Sequence, residues 1–256
     1  MLEKLGRYWR LFGAGFSFFA IGLGGVIVFP ALNVVIWNRR LRADAARALV
    51  RLTFRSIVAV MRLFDVFHCD VHGSERLERS GLLILANHPS LIDIVLLMAL
   101  VKRADCIVKS GLWQNPFTRA TIRAAGYVRN DSGPGLIEDC VRSLQGGSNL
   151  IVFPEGTRTP ADGPTAFKRG AANIAVRGRL NVTPVLIRCT PRVVGKGGEF
   201  LRALSRTVYF RIDVEEDIDI RPFLNNPSGG EALAARHLTD YLQDYFSEEK
   251  SSHAAA

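Results

Sequence analysis

Two short stretches carry residues whose types and spacing can do chemistry. Asn87-His88-Pro89-Ser90-Leu91-Ile92-Asp93 follows one apolar run, and Phe153-Pro154-Glu155-Gly156-Thr157-Arg158 follows another. A histidine and an aspartate can form a base and its orienting carboxylate, the imidazole taking a proton and the carboxylate steadying the imidazolium that forms. In one continuous helix residues five apart lie about 140° around the axis and their side chains do not meet, so the chain must break between them. Pro89 supplies the break: proline suits the first helical position and leaves His88 in the preceding turn, with Asp93 in the new helix. No GxSxG elbow is present, so the pair is expected to act directly on a substrate hydroxyl that attacks a thioester carbonyl, His88 as base and Asp93 as its partner. Alone, His88 reads equally well as a helix-capping structural histidine, and it is the second stretch that favours catalysis.

In that second stretch Pro154 and Gly156 force a turn, Glu155 can anchor it through hydrogen bonds, and Arg158 can offer a bidentate donor suited to a phosphate oxygen. Lys109, at the end of another expected strand, can bring a second cation to the same rim. The competing reading for Arg158 and Lys109 is a surface ion pair. His68, Asp70 and His72 alternate and would share one strand face; an exposed polar face accounts for them better than a metal site. Cys69, Cys106, Cys140 and Cys189 are far apart with no CxxC spacing, which indicates neither zinc nor a disulfide framework but reduced thiols. There is no P-loop, and the proposed chemistry requires no metal and no bound cofactor.

These residues need a scaffold, and the pattern after Gly73 supplies one. Short apolar runs alternate with helically spaced segments, the signature of an α/β fold with a mostly parallel central sheet flanked by helices. Strands are expected at 82–86, 105–108, 149–153, 182–189 and 207–214, and helices at 90–101, 116–125, 135–144, 170–177 and 231–246. Both stretches then fall at the carboxyl end of a strand, where ligands sit in open α/β sheets. The 256 residues are 48% hydrophobic and show no internal repeat, which allows one large domain, expected at 68–247, with an N-terminal appendage at 1–67 and a disordered tail at 248–256.

The net charge of +9 is concentrated in the appendage: residues 1–62 hold ten Lys and Arg against two acids, while the rest is nearly neutral. A nucleic-acid partner is therefore not expected. Residues 11–38 are uncharged and long enough to cross a bilayer, yet five glycines and Pro30 fit a kinked or re-entrant helix at least as well as a clean span. Within 41–67, Leu49, Leu52, Ile57, Val60 and Phe64 are interleaved with Arg47, Arg51, Arg55 and Arg62. That pattern is expected to form an amphipathic basic helix lying on anionic headgroups. The apolar run is too long for a signal peptide, so the segment is expected to be retained.

With NHPSLID, FPEGTR, Phe167-Lys168-Arg169-Gly170 and Val182-Thr183-Pro184-Val185, the chain resembles the PlsC-like glycerophospholipid and lysophospholipid acyltransferases over roughly residues 71–214. The resemblance implies a membrane-anchored domain facing the cytoplasm at the cell inner membrane. It implies transfer of an acyl group from acyl-CoA or acyl-carrier protein to a lipid hydroxyl, with 1-acyl-sn-glycerol-3-phosphate the first expectation for the acceptor. It also implies His88 and Asp93 as the catalytic pair, Glu155, Gly156, Thr157 and Arg158 in acceptor binding, and Pro184 near the acyl-donor site. The family's second motif usually runs from a glycine to an Asp-Arg pair about six residues on. Here Gly126-Tyr127-Val128-Arg129-Asn130-Asp131 puts Arg129 only three residues from the glycine, so Arg129 meets the phosphate from a different register or the acceptor is another lipid, such as a lyso-amino-acid lipid, a glycolipid or a polyene head group. A non-catalytic lipid-binding scaffold is the alternative from another class.

Overall fold

The computed structural model describes residues 2–130, 135–158, 166–191, 206–225 and 230–252. Its seven strands are β1 (Phe67–His72), β2 (Leu83–Ala86), β3 (Ala104–Val108), β4 (Val128–Arg129), β5 (Asn149–Val152), β6 (Val182–Thr190) and β7 (Val208–Val214). They form one sheet in the order β1-β7-β6-β2-β5-β3-β4. Every neighbouring pair is parallel except β6 with β7, as the mostly parallel expectation has it. β4 was not among the expected strands, being two residues long and too short to show any period. β1 is the strand whose exposed face His68, Asp70 and His72 share, as their alternation led one to expect.

The central strands β2 and β5 are buried throughout, as continuous apolar runs must be when both faces of a parallel sheet are covered. Ile84 and Ala86 face one core, and Leu83 and Leu85 face the other. The first core is covered by α1 (Leu2–Val35), α2 (Arg39–Leu63), α3 (Asp93–Leu100) and α5 (Pro116–Ala125), and the second by α6 (Leu136–Gln145), α7 (Gly170–Gly178) and the final helix α9 (Gly230–Ser252). Two short helices, α4 (Ser110–Gln114) and α8 (Arg221–Leu224), lie in connections. The last helix corrects the expected tail: Leu238, Leu242 and Phe246 bury its inner face, and the good helix formers Glu248, Glu249 and Lys250 continue it to Ser252. Residues 253–256 lie outside the described residues.

At the N-terminus α1 runs uninterrupted through Pro30 and packs on α2 and α5. Gly13 lets the Phe64 ring come against the α1 backbone, Trp9 stacks on Phe64 with centroids 4.5 Å apart, and Asn33 donates to the Ala120 carbonyl at 3.2 Å. Among the described residues no helix is long and apolar enough to cross a membrane. Tyr8, Phe12, Phe16 and Phe19 are nevertheless exposed on α1.

The expected row of headgroup-facing arginines on α2 needs correction at its first member. Arg47 is buried, donating to the Ala125 carbonyl at 3.0 Å and to Ser148 Oγ and pairing with buried Asp105 at 3.1 Å. It ties α2 to the amino ends of β3 and β5. A one-in-four spacing reveals a helix face but not which way that face turns.

Candidate active site

Four parallel neighbours, β2, β5, β3 and β4, end on the same edge of the sheet, and all of the expected site residues follow those ends. His88 follows β2; Glu155, Gly156, Thr157 and Arg158 follow β5; Lys109 follows β3; Arg129 closes β4. Asn87 locks the first segment to the sheet: its side-chain amide donates to the Ile187 carbonyl at 2.8 Å, and its oxygen accepts the Ile187 N–H at 2.7 Å.

His88 and Asp93 meet. His88 Nδ1 lies 2.9 Å from Asp93 Oδ2, with the imidazole 17% exposed and the carboxylate fully buried. The break comes later than expected, since α3 begins at Asp93 itself and residues 90–92 form a bend. Ser90 shapes that bend. Its backbone N–H donates to Asp93 Oδ2 and its hydroxyl to Asp93 Oδ1, both at 2.6 Å, and its Oγ accepts the Ile92 N–H at 3.1 Å. Both carboxylate oxygens thus accept hydrogen bonds, and the one shared with the imidazole is donated by the Nδ1–H. Nε2, across the ring, is then the basic nitrogen.

The second stretch grips the first. Phe153 stacks on the His88 ring at 4.2 Å and 19°, and buried Glu155 accepts a long 3.5 Å hydrogen bond from the His88 N–H. Glu155 therefore anchors the neighbouring motif rather than its own turn alone, the role expected from the sequence. That turn closes through Gly156 N–H to the Phe153 carbonyl at 3.0 Å. Gly156 has φ +67, which is what favours glycine here, and Lys168 Nζ comes within 2.7 Å of where a Cβ would stand. Thr157 is exposed and Arg158 half-buried.

Ser90, Phe153 and Lys168 are the contributors that residue-by-residue reasoning did not single out, although each stands inside a quoted motif. Lys109 is exposed at the cap of α4. Arg129 pairs in register with Val108, and its guanidinium lies 4.9 Å above the Trp113 ring; Asp131 of the same segment is outside the described residues. With strands spaced about 4.8 Å, the strand that Arg158 follows neighbours the strand that His88 follows, whereas the strand of Arg129 is three away, about 14 Å. Pro184 is buried within β6 beside Leu85, three residues before the Ile187 that binds Asn87.

Among the described residues no cluster of three or more His, Cys, Asp or Glu could hold a metal ion. His68 pairs with Asp65 at 3.0 Å and His72 with Asp213 at 3.1 Å, at opposite ends of β1. Burial pushes the thiols of Cys69 and Cys140 up to about 11 and about 12, so they stay protonated at neutral pH.

The sequence model of the family described as Acyltransferase matches residues 68–188, which contain both His88 and Asp93 and the Phe153–Arg158 stretch. The chain is similar to the PlsC-like O-acyltransferases. A 1-acyl-sn-glycerol-3-phosphate acyltransferase of Helicobacter pylori is 29% identical over 234 residues, covering 88% of this chain and 90% of that protein. The chloroplastic 1-acyl-sn-glycerol-3-phosphate acyltransferase of Arabidopsis thaliana is 28% identical over 148 residues, and the chain spans only 42% of its length. The fold is shared with the crystal structure of the 1-acyl-sn-glycerophosphate acyltransferase PlsC from Thermotoga maritima, with a TM-score of 0.67 at 24% identity, covering 96% of this chain and 98% of that one.

Proposed function

We propose that the protein acylates the free hydroxyl of 1-acyl-sn-glycerol-3-phosphate to give phosphatidic acid, taking the acyl group from acyl-CoA or acyl-carrier protein. The observation that carries this reading is the 2.9 Å contact between His88 Nδ1 and a fully buried Asp93 whose two oxygens are both held by Ser90. His88 Nε2 removes the hydroxyl proton as the oxygen attacks the thioester carbonyl. Asp93 stabilises the imidazolium, which returns the proton to the leaving thiolate as the tetrahedral intermediate collapses. No covalent acyl-enzyme, metal or bound cofactor takes part.

The acceptor's phosphate is separated from the reacting hydroxyl by only the glycerol C2–C3 bond and one ester oxygen. Arg158, whose preceding strand neighbours that of His88, is therefore the first cation for it, with Lys168 beside Gly156. Lys109 and Arg129 form the far part of the rim, and Thr157 completes the turn. The exposed aromatic residues of α1 support docking on a bilayer, with the domain on the cytoplasmic face of the cell inner membrane. The near-neutral charge of residues 63–256 supports no nucleic-acid partner.

The test is mass-spectrometric detection of product from purified protein in membranes, given either acyl donor and a panel of lyso-lipids, with His88→Ala in parallel. Phosphatidic acid from the unmutated protein alone is the expected result. His88-dependent acylation of a lipid without a phosphate would replace the acceptor, and no transfer to any acceptor would return the protein to a lipid-binding scaffold.

A further inference from the structure

A groove of about 390 Å³ opens between α2, the carboxyl end of α3 and the 3-10 turn Ser74–Glu78. It belongs to the opposite edge of the sheet from His88. The eight residues of α3 carry the chain about 12 Å from Asp93 back to Leu100, and Lys102 and Glu78 flank the amino ends of β3 and β2.

The groove carries four cations, Arg51, Arg55, Arg62 and Lys102, against a single carboxylate, Glu78, and its floor includes Leu77 and Leu100. The charge is poorly compensated. Lys102 and Glu78 approach only to 4.0 Å, and burial first and neighbouring Arg55 second pull the Arg51 guanidinium below its ordinary value. Arg51 is held in place by its 3.2 Å hydrogen bond to the Leu100 carbonyl. Such a site favours an anion carrying an apolar portion. About a quarter turn around α2 from the arginines, Leu52 and Leu63 are 61% and 76% exposed. A surface that accepts those leucines brings the groove to headgroup level.

We propose that this groove binds the phosphate-bearing headgroup of an anionic bilayer phospholipid that is not the acyl acceptor. A headgroup seated at the amino ends of the strands is too far from His88 Nε2 to be acylated. The assignment rests on the bilayer docking proposed above, and it gives that docking a defined site rather than a diffuse charge.

The experiment is co-sedimentation of the full chain with phosphatidylcholine vesicles, with and without phosphatidylglycerol, in the absence of any acyl donor. Its outcome is thus independent of whether acyl transfer occurs. Arg55→Gln with Arg62→Gln is compared with Arg39→Gln and Arg40→Gln, which removes equal charge from the exposed start of the same helix. The groove pair is expected to weaken partition onto phosphatidylglycerol vesicles by more than the roughly thirtyfold that losing any two near-surface cations implies, and clearly more than the control pair. Binding to phosphatidylcholine alone should not change. Equal losses for the two pairs would reduce the groove to part of a diffuse field and overturn the proposal. Displacement from the vesicles by inorganic phosphate at matched phosphate concentration would make it a free-anion site and overturn the lipid assignment. Melting curves verify folding; should the double variant melt early, Arg62→Gln alone carries the comparison.

Discussion

Ser90 touches both oxygens of Asp93, and Asp93 touches His88, so the residues act as a chain rather than a pair. Removing the proposed base, as in His88→Ala, should lower kcat by about 10² to 10⁴. Ser90→Ala deletes one charge-assisted hydrogen bond of about 1.5–3 kcal/mol but leaves the base. Its expected signature is a drop in kcat of about tenfold or more with KM little changed, measured by steady-state kinetics. A KM rise with unchanged kcat would show instead that Ser90 shapes the binding surface. Arg158→Ala should raise KM for a phosphate-bearing acceptor more than Arg129→Ala does, because the latter's strand lies two further steps from the base. Equal effects would place the phosphate across the rim.

Among the elements, α2 is fastened to the sheet by a buried ion pair. Burial holds the Asp105 carboxyl above the usual range despite Arg47 and Ser143 beside it, so the pair contributes through mutual satisfaction rather than surplus attraction. Arg47→Ala strands Asp105 without its counter-charge and is expected to cost about 3–5 kcal/mol in chemical denaturation; a loss near zero would show that Asp105 simply takes up a proton. A second tether behaves oppositely with pH. Arg79 first, then Thr183, hold the Asp217 carboxyl below its ordinary value, through bonds of 2.7 and 2.9 Å to Arg79 and 2.7 Å to Thr183. A depressed carboxyl contributes stability that is present above its unfolded value and lost as pH falls through the folded one. Asp217→Asn should therefore reduce stability at neutral pH and flatten the acid side of the profile below about pH 4. Partial exposure of both side chains keeps the effect small.

For the whole molecule, the exposed aromatic face of α1 is the surface on which the proposed bilayer docking rests. Phe16→Ser with Phe19→Ser is expected to weaken partition onto vesicles of any charge by at least about tenfold, since each buried Phe is worth about 1.5–3 kcal/mol. That charge-independence separates the α1 face from the arginine groove. Unchanged partition would remove α1 from the docking surface.

The α/β class, the central strands and the placement of both motifs at strand ends were legible in the sequence because buried parallel strands need unbroken apolar runs and turns need residues such as Pro89 and Gly156. The His88–Asp93 pairing was legible for the same local reason: the two are five residues apart and joined by a break. β4 was not, being set by pairing with β3 rather than by its own two residues. Nor was the direction of Arg47, because a helical period is the same whether a face meets water or a buried aspartate 58 residues away. Phe153 against the imidazole and the gathering of Arg51, Arg55, Arg62 and Lys102 around one groove were decided by tertiary structure alone, whereas the Ser90 clamp on Asp93, three residues away, is as local as the His88–Asp93 pair. Local sequence determines which side chains a segment offers, but distant segments must pack before it is settled what those side chains touch.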